Sequence, residues 1–473
     1  MNLWVLLALV GCGVPSVTNI TNVYVLPEPD TGGDEGIVPP IDATTTPDAL
    51  ALDVLGDDGN VWWIGVSAEQ LEALNAPFGE GGGWGAEGVY EVGEDTGFAD
   101  TVLVASPDGD CADFGKTSVR LVGQSTGVAW TPSTIPNFRL DSDDYTEGQR
   151  FGGVEHIRLN SGQVGSLFGE ASSLATFRAL GVPAARASYA WVGGSGWEDP
   201  DVLVPMVARE MYKGDFCEQN ADQLGGGCVN VREGVGDVNT PGVWSSFECD
   251  YGDCDDTTGL DALAQAILDN SGGEAFDEST EAWLDWEAFR RSSCVHWLLW
   301  VGDDYVHNTN NLVIAEGKDG KFRFLPYSTD ITAGYAWDGA YRDTTLWGWA
   351  SLSAGCRADT GCREAMYDTC EAVIDGFEAL DPVSVIDDLA ARLRGTPAPW
   401  GEAYPDGMWR APDEDAYAHY RAFYEGRAAS ARAELEELRA GGGDTGDTGG
   451  WETGGWETGG WLEQNGGSER QDR

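Results

Sequence analysis

The stretch Val301-Gly-Asp-Asp-Tyr-Val-His-Asn-Thr-Asn-Asn-Leu-Val-Ile-Ala315 lies between an amphipathic helical pattern that ends at Trp300 and an apolar run that begins at Leu312. It contains two carboxylates and three carboxamides within residues 303–311. Such a density of polar groups between two buried elements is typical of a functional loop. This loop is therefore the first candidate for a functional site.

A predicted β-hairpin follows the loop. Residues 312–315 and 322–325 are short apolar runs joined by Glu316-Gly-Lys-Asp-Gly-Lys321, a pattern typical of two paired strands. Because a hairpin returns the chain to its starting end, we expect Asp330 to lie beside Asp303 and Asn308. Carboxylate and amide oxygens suit Mg²⁺, Mn²⁺ or Ca²⁺ rather than Zn²⁺.

The spacing within this cluster fits a phosphotransfer site. Asp303 and Asn308 are five residues apart, as in the kinase pattern H-R-D-x-x-x-x-N, and Asp330 follows a hairpin as the kinase metal-binding Asp does. A bare D-x-x-x-x-N is common, however, and Asp and Asn also cap helices and stabilise turns. The spacing alone favours this capping interpretation.

The order of elements predicts an α+β protein. Residues 61–66 read as a strand, and Ser67 with Gln70 forms a capping box for a short helix. Between residues 102 and 191, short apolar runs separated by Gly, Pro and Asp predict a mostly antiparallel sheet, interrupted by one helix over residues 166–180. Further helices are predicted over residues 260–269, 281–301, 362–380, 382–393 and 415–439.

The first residues of the chain predict an export signal. Met-Asn-Leu-Trp-Val-Leu-Leu-Ala-Leu-Val-Gly-Cys12 resembles a bacterial lipobox, in which Cys12 would carry the lipid, although the absence of Lys and Arg also leaves a plain signal peptide open. We predict a signal peptide over 1–12, a disordered tether over 13–50, a folded domain over 51–440 divided near residue 215, and a disordered Gly- and Trp-rich tail over 441–473.

The cysteines fit an oxidising compartment. Short bridged loops are predicted for Cys217/Cys228, Cys249/Cys254 and Cys356/Cys362. Setting Cys12 aside leaves an odd number of cysteines, so at least one unpaired thiol is expected. Zinc is not favoured, because none of these pairs is C-x-x-C and the four histidines do not have zinc-finger spacing.

The charge of the chain argues against nucleic-acid partners. With 27 basic and 80 acidic residues, the formal net charge is -53, a field that repels nucleic acids and anionic membrane surfaces. We expect no nucleic-acid partner and membrane contact only through a lipid anchor. The predicted location is the cell envelope, with attachment at the outer membrane, or the secreted fraction.

Seven segments, in order, resemble the spore-coat protein H (CotH) kinase-like family over about residues 55–400. They are Val119-Arg-Leu-Val-Gly-Gln-Ser125, Pro136-Asn-Phe-Arg-Leu140, His156-Ile-Arg-Leu-Asn-Ser161, Phe177-Arg-Ala-Leu-Gly-Val-Pro-Ala-Ala-Arg-Ala-Ser188, Ala208-Arg-Glu210, Asp303-Asp-Tyr-Val-His-Asn-Thr-Asn-Asn311 and Phe324-Leu-Pro-Tyr-Ser-Thr-Asp330.

This resemblance implies a divergent two-lobed protein-kinase-like fold, with an antiparallel-sheet N-lobe and a mainly helical C-lobe. It also implies ATP, Mg²⁺ or Mn²⁺, and a Ser or Thr acceptor on a surface or secreted protein. Asp303 would then be the base or the substrate-orienting carboxylate. Asn308 and Asp330 would hold metal.

The chain departs from the family pattern at two places. Ile135-Pro-Asn-Phe-Arg139 stands where the family has a Lys-rich stretch, which leaves Arg139, or else Lys116, to meet phosphate, with Glu210 as a candidate partner for that cation. Ser328 stands where the family has the first Asp of W-D-x-D. Three hypotheses therefore stay open: an active extracytoplasmic kinase, a catalytically weak structural or binding lipoprotein, and a calcium-dependent adhesion module using acidic loops such as 57–60 and 250–256.

Overall fold

The computed structural model describes residue 55 and residues 60–76, 97–106, 111–122, 129–131, 134–162, 167–197, 203–240, 242–270, 275–334, 345–394 and 414–441. The predicted signal peptide with Cys12, the tether and the Trp-rich tail lie outside these residues. The described strands are β1 Asn60–Gly65, β2 Phe98–Ala99, β3 Thr101–Ala105, β4 Cys111–Asp113, β5 Thr117–Val122, β6 Asn137–Asp141, β7 His156–Asn160, β8 Ala187–Gly194, β9 Val204–Glu210, β10 Cys228–Gly234, β11 Glu248–Gly252, β12 Leu312–Gly317 and β13 Phe322–Leu325.

Helices alternate with these strands and dominate the later part of the described chain, so the protein is α+β. They are α1 Ala68–Asn75, α2 Leu167–Ala179, α3 Gly214–Gln219, α4 Thr258–Asn270, α5 Phe276–Thr280, α6 Trp286–Leu299, α7 Tyr305–Asn308, α8 Ser351–Ala358, α9 Thr360–Ala379, α10 Pro382–Arg394 and α11 Glu414–Arg439. No described helix is both long enough and apolar enough to cross a membrane.

Nine of the described strands form one sheet in the order β2-β5-β6-β7-β9-β8-β1-β3-β4. Every neighbouring pair is antiparallel except β1 with β8, which run parallel. The predicted antiparallel character is therefore confirmed for all pairs but one. The parallel pair lies inside the sheet, two strands from its β4 edge, where a strand distant in the sequence inserts beside β8.

The two faces of this sheet pack against different cores. Successive strand residues point to opposite faces, and in β1 Trp62 and Ile64 enter one apolar cluster while Val61 and Trp63 enter the other. The second cluster continues through α2 into the helical part of the chain. The sheet therefore has one self-contained apolar face and one face that meets the rest of the molecule.

A second, four-stranded sheet has the order β11-β10-β12-β13. The predicted hairpin is confirmed, because β12 and β13 are antiparallel with Val313 opposite Leu325. Its apolar side chains are buried. The hairpin fixes where the chain emerges after Leu325, and the site residues follow within five positions.

Several local predictions are confirmed within a few residues. The side chain of Ser67 accepts a hydrogen bond from the backbone N–H of Gln70 at 3.2 Å, so the predicted N-cap of α1 is confirmed. The reciprocal bond of the predicted capping box is replaced, because the backbone N–H of Ser67 donates to Asp100 at 2.9 Å. Helix α2 ends just before Gly181, which has a positive φ of 79°. Helix α6 begins at Trp286 rather than at residue 281, because Asp285 is its N-cap and accepts from the backbone N–H of Ala288.

Disulfides cross-link the described chain. The three predicted pairs, Cys217–Cys228, Cys249–Cys254 and Cys356–Cys362, are all present. A fourth, Cys294–Cys370, joins α6 to α9 across 76 residues of sequence and was not predicted. Cys111 is also disulfide-bonded, so the expectation of an unpaired thiol is wrong for the described residues, where no cysteine is free.

The cross-link between α6 and α9 closes the longest of these loops, and its loss should cost the most stability. Chain-entropy arguments give about 4 kcal/mol for a loop of this length and about 2 kcal/mol for the loop closed by Cys356 and Cys362. We therefore expect the double variant Cys294→Ala/Cys370→Ala to lose more free energy of unfolding in denaturant titrations than Cys356→Ala/Cys362→Ala. Equal losses would contradict this account.

Candidate functional site

The carboxylate of Asp303 is held by amide side chains of its own loop. Its Oδ1 accepts from Nδ2 of Asn308 at 2.5 Å and of Asn310 at 2.9 Å, and its Oδ2 accepts from Nδ2 of Asn311 at 2.9 Å. Asn311 also donates to the backbone oxygen of Asp303 at 2.8 Å. The predicted pair Asp303 and Asn308 is therefore in direct contact, and the orientation of the carboxylate is fixed by three donors.

The next residue, Asp304, does the capping. It is the N-cap of α7, and its buried carboxylate accepts from the backbone N–H and binds Nδ1 of His307, both through Oδ1. Burial alone would raise the pKa of Asp304, but His307 outweighs it and the pKa is lowered. Burial would lower the pKa of His307, and Asp304 raises it instead. The capping interpretation thus belongs to Asp304, while Asp303 and the asparagines fold the turn.

Asp330 lies near this loop, at the place where the hairpin returns the chain. Its Oδ1 accepts from the hydroxyl of Ser328 at 3.1 Å, and its side chain is half-buried. The pKa of Asp330 is raised, mainly by burial and in addition by the negative charge of Asp303, while Arg158 opposes the rise. The structure therefore brings the three predicted residues Asp303, Asn308 and Asp330 into one neighbourhood.

Helix α2 packs directly against Asp330. A Cβ atom added to Gly169 would lie 2.5 Å from the backbone oxygen of Asp330 and 2.8 Å from the hydroxyl of Tyr420. Only a residue without a side chain permits this approach of helix to loop. Gly169 therefore sets the distance between α2 and the candidate site.

The neighbouring residue on α2, Glu170, forms a buried ion pair with Arg209 of β9 at 3.2 Å. Glu170 also accepts from Nδ2 of Asn160 at 2.7 Å. Burial raises the pKa of Glu170 and the charge of Asp330 raises it further, against the opposing effect of Arg209. Burial would lower the pKa of Arg209, but the charge of Glu170 outweighs it, so this guanidinium stays charged.

A second arginine, Arg158 of β7, is close enough to Glu170 and Asp330 for its charge to act on both. Its Nε donates to Oδ1 of Asn160 at 2.8 Å, and its Nη1 donates to the hydroxyl of Tyr327 at 2.7 Å. Tyr327 also stacks beneath Arg209, whose guanidinium carbon is 4.7 Å from the ring centroid. Arg158 and Arg209 thus share Tyr327 as a neighbour, on the side of the site where Glu170 and Asp330 lie.

The structure places the predicted nucleotide-binding residues elsewhere. Arg139 binds Glu248 of β11 at 3.4 Å. Glu210 is on a strand rather than a helix, and its carboxylate binds Arg186 at 3.1 Å on the face opposite to Arg209. The expected pairing of Glu210 with Arg139 is therefore wrong, because alternate residues of β9 face opposite sides. Lys116 lies over the ring of Phe98 at 3.7 Å instead.

Sequence reasoning missed Glu170, Arg158 and Arg209, although all three lie in segments that were singled out. The sequence carries one signal, because Glu170 is the only acidic residue of Leu167–Ala179. The structure buries this helix on nearly all sides, from Leu167 to Phe177. A carboxylate inside such a helix must be paired. The partner was not deducible, because Arg209 is distant in the sequence and reaches Glu170 only through the order of strands in the sheet.

A further group of side chains has metal-ligand geometry. One ligand atom each of Asp141, Glu155 and His156 lies within 4.8 Å of the others. Here Nε2 of His156 is already 2.6 Å from Oδ2 of Asp141, and Arg150 lies 2.9 Å from Glu155. His156 and Arg150 therefore already bind these carboxylates.

The fold and the site together define an α+β, disulfide-bonded protein with an acidic cluster between a sheet and a helical region. No protein-family model and no curated protein matches the chain. Among solved structures, a proinflammatory kinase of Helicobacter pylori, CtkA, is similar with 11% sequence identity and a TM-score of 0.28, covering 66% of this chain and 98% of that one. A similarity of this size identifies neither fold nor activity, so the site is interpreted from its own residues.

The contact between α2 and Asp330 gives a sharp test of the site's construction. In Gly169→Ala, the new methyl group would press on the Asp330 backbone, so we expect a loss of about 1–3 kcal/mol of stability and weaker binding of any ligand that Asp330 holds. The matched control is Gly426→Ala on α11, where an added Cβ meets nothing within 4 Å. That variant should be neutral or slightly stabilised. Equal melting temperatures for the two variants would contradict the proposed contact.

Proposed function

We propose that this protein is a metal-dependent phosphotransferase that moves the terminal phosphate of ATP to a hydroxyl acceptor, as its resemblance to the CotH family implies. The observation that carries the proposal is the convergence of Asp303, Asn308 and Asp330 beside the buried Glu170–Arg209 pair. Phosphotransfer requires chiefly positioning and compensation of charge rather than covalent chemistry. Both requirements match groups found here.

The donor set suits a divalent cation. Asp330 offers a carboxylate whose pKa is raised by burial and by Asp303, so an added cation would relieve both effects. Asn308 offers Oδ1, which accepts only a weak contact from the backbone N–H of Asn310 at 3.2 Å. Hard oxygen ligands of this kind prefer Mg²⁺ or Mn²⁺, and Ca²⁺ is chemically compatible. The cation, when bound, would neutralise phosphate oxygens.

Asp303 is suited to orient an acceptor hydroxyl. An ionised carboxylate has about four lone-pair sites, and the amides of Asn308, Asn310 and Asn311 use three of those of Asp303. One site remains to accept the proton of an incoming Ser or Thr hydroxyl. Because the three amide contacts fix the carboxylate, the hydroxyl would be held in one direction.

Arg158 and Arg209 would face the phosphates. Arg158 lies on the strand that precedes α2, and Glu170 lies on that helix, which is the order in which kinases place their phosphate-binding Lys and its Glu partner. In this chain Arg209 takes the direct contact with Glu170. Arg158, rather than Arg139, is then the arginine whose charge acts on Asp330.

Nucleotide binding and transfer test the proposal. Purified protein should bind ATP in Mg²⁺ or Mn²⁺, and Asp330→Asn should abolish the metal-dependent part of this binding. Asp303→Asn should keep binding but lower the rate of transfer about a hundredfold or more. Asp269→Asn, an exposed carboxylate on α4, is the control. The absence of ATP binding at any concentration of either metal would end the proposal.

The second candidate function is a surface binding protein with little or no catalysis. It is favoured by Arg139 and Arg158, which are engaged by Glu248 and Tyr327 of the chain itself. This candidate predicts nucleotide binding without transfer, and equal behaviour of Asp303→Asn and the unmodified protein. The same measurements therefore separate the two functions.

The acidic loop 250–256 gives less support to a calcium-dependent adhesion role. Asp250 binds Lys213 at 3.1 Å. Asp253 and Asp256 accept backbone N–H groups two residues further on, both at 3.0 Å. These carboxylates therefore stabilise turns and a helix start. Loop 57–60 lies outside the described residues except for Asn60.

The disulfides favour an oxidising, extracytoplasmic location, and we propose attachment through a lipid on Cys12. Peptide mapping by mass spectrometry under non-reducing conditions tests this, with diacylglycerol on the Cys12 sulfur as the expected result. Lipid and disulfide compete for that sulfur. A Cys12 found in a disulfide, for which Cys111 is the candidate partner, would exclude the anchor and leave a secreted protein.

A further inference from the structure

Four arginines stand opposite one another across four adjacent strands of the nine-stranded sheet. Arg120 of β5 is the register partner of Arg139 of β6, Arg139 of Arg158 of β7, and Arg158 of Arg209 of β9. Directly opposed residues share one face, so the four side chains form a single line, which we call the arginine row. The alternate residues Val119, Phe138, Leu159 and Ala208 point into the apolar core of the other face.

Such a row is costly without anions, because like charges directly opposite one another destabilise a sheet. At the inner end Glu170 compensates the charge of Arg209. Both side chains are buried, with exposures of 4% for Glu170 and 2% for Arg209. At Arg139 the compensation is weak. Glu248 reaches Arg139 only at 3.4 Å, and its side chain is 61% exposed. A pair of this kind contributes little stability and is easily displaced.

The anions that face the middle of the row are themselves crowded. Glu233 and Glu248 are register partners on β10 and β11, so two like charges are directly opposed on this side as well. Burial, with repulsion from Asp250, raises the pKa of Glu233 to about 7, against a hydrogen bond from Tyr327. Two opposed arginines, Arg139 and Arg158, thus face two opposed glutamates. The repulsion between the glutamates weakens the hold of Glu248 on Arg139.

We propose that the outer half of the arginine row, Arg120 and Arg139, binds a phosphate group of a ligand other than the nucleotide, and therefore that the acceptor is itself a phosphate-bearing molecule. This inference rests on the proposed function, which assigns the inner half of the row, Arg158 and Arg209, to the nucleotide. Glu248 occupies Arg139 until the phosphate displaces it.

The length of the row supports a second phosphate-bearing ligand. Adjacent strands are about 4.8 Å apart, so three spacings give about 14 Å from Arg120 to Arg209. The triphosphate of one nucleotide, held near Asp330 by Arg158, is shorter than this. The charge of the chain supports the same conclusion. The net charge is -53, with only 27 basic residues, so four aligned guanidinium groups are a local exception to a field that repels anions. Arginine also binds phosphate through two parallel hydrogen bonds.

The test is calorimetric binding of inorganic tripolyphosphate to the full chain, in the presence of a chelator. Arg139→Gln should weaken binding about tenfold or more, because it removes the charge-assisted hydrogen bonds of the guanidinium group. Glu248→Gln should strengthen it several-fold by removing the competitor. The matched controls are Arg291→Gln and Glu287→Gln, an exposed pair on α6 at 3.2 Å, which change the net charge equally and should do neither.

Three outcomes would overturn the proposal: equal effects of Arg139→Gln and Arg291→Gln, no gain in affinity for Glu248→Gln, or complete loss of tripolyphosphate binding in saturating Mg²⁺ and a non-hydrolysable nucleotide. The last result would mean that the anion uses only the nucleotide's site. If Arg139→Gln does not fold, Arg120→Gln provides the same comparison. Asp330→Asn separates the two proposals, because it should weaken metal-dependent nucleotide binding and spare metal-free tripolyphosphate binding.

Discussion

The site depends on the ion pair between Glu170 and Arg209, which joins helix α2 to the nine-stranded sheet in a buried place. Removing both charges from water is expensive, and removing only one partner would leave the other uncompensated, at about 3–5 kcal/mol. The pair therefore fixes the position of α2 relative to β9. Since Gly169 precedes Glu170 and touches the Asp330 backbone, the same pair fixes the loop that carries Asp330.

The arginine row explains why this pair is needed. A line of four opposed guanidinium groups would weaken strand pairing unless carboxylates reached it from outside the sheet. Glu170 comes from a helix, and Glu248 comes from the second sheet. The row thus acts as the electrostatic connection between the sheet and the other parts of the molecule. It also leaves a gradient, from a buried pair at Arg209 to an exposed one at Arg139.

The sequence predicts what short-range physics determines. The hairpin of β12 and β13, the N-cap at Ser67 and three disulfides over short loops follow from neighbouring residues. Glu170 with Arg209 and Cys294 with Cys370 do not, because each pair is assembled by strand order or helix packing over long separations. The expected pair of Arg139 and Glu210 failed for a related reason: a one-residue difference along β9 separates Arg209 from Glu210 and reverses the face.

The two aspartates of the site differ in their hydrogen bonds and burial, and this difference supports a division of roles. Asp303 accepts three amide hydrogen bonds, so its carboxylate is rigid and nearly saturated. Asp330 accepts from the hydroxyl of Ser328 and from a backbone N–H, and burial nevertheless raises its pKa. A saturated carboxylate is suited to direct one more donor, whereas a poorly compensated one gains most from a cation. The hydrogen bonds of the loop therefore distinguish an orienting acid from a cation-binding acid, although both are aspartates in one neighbourhood.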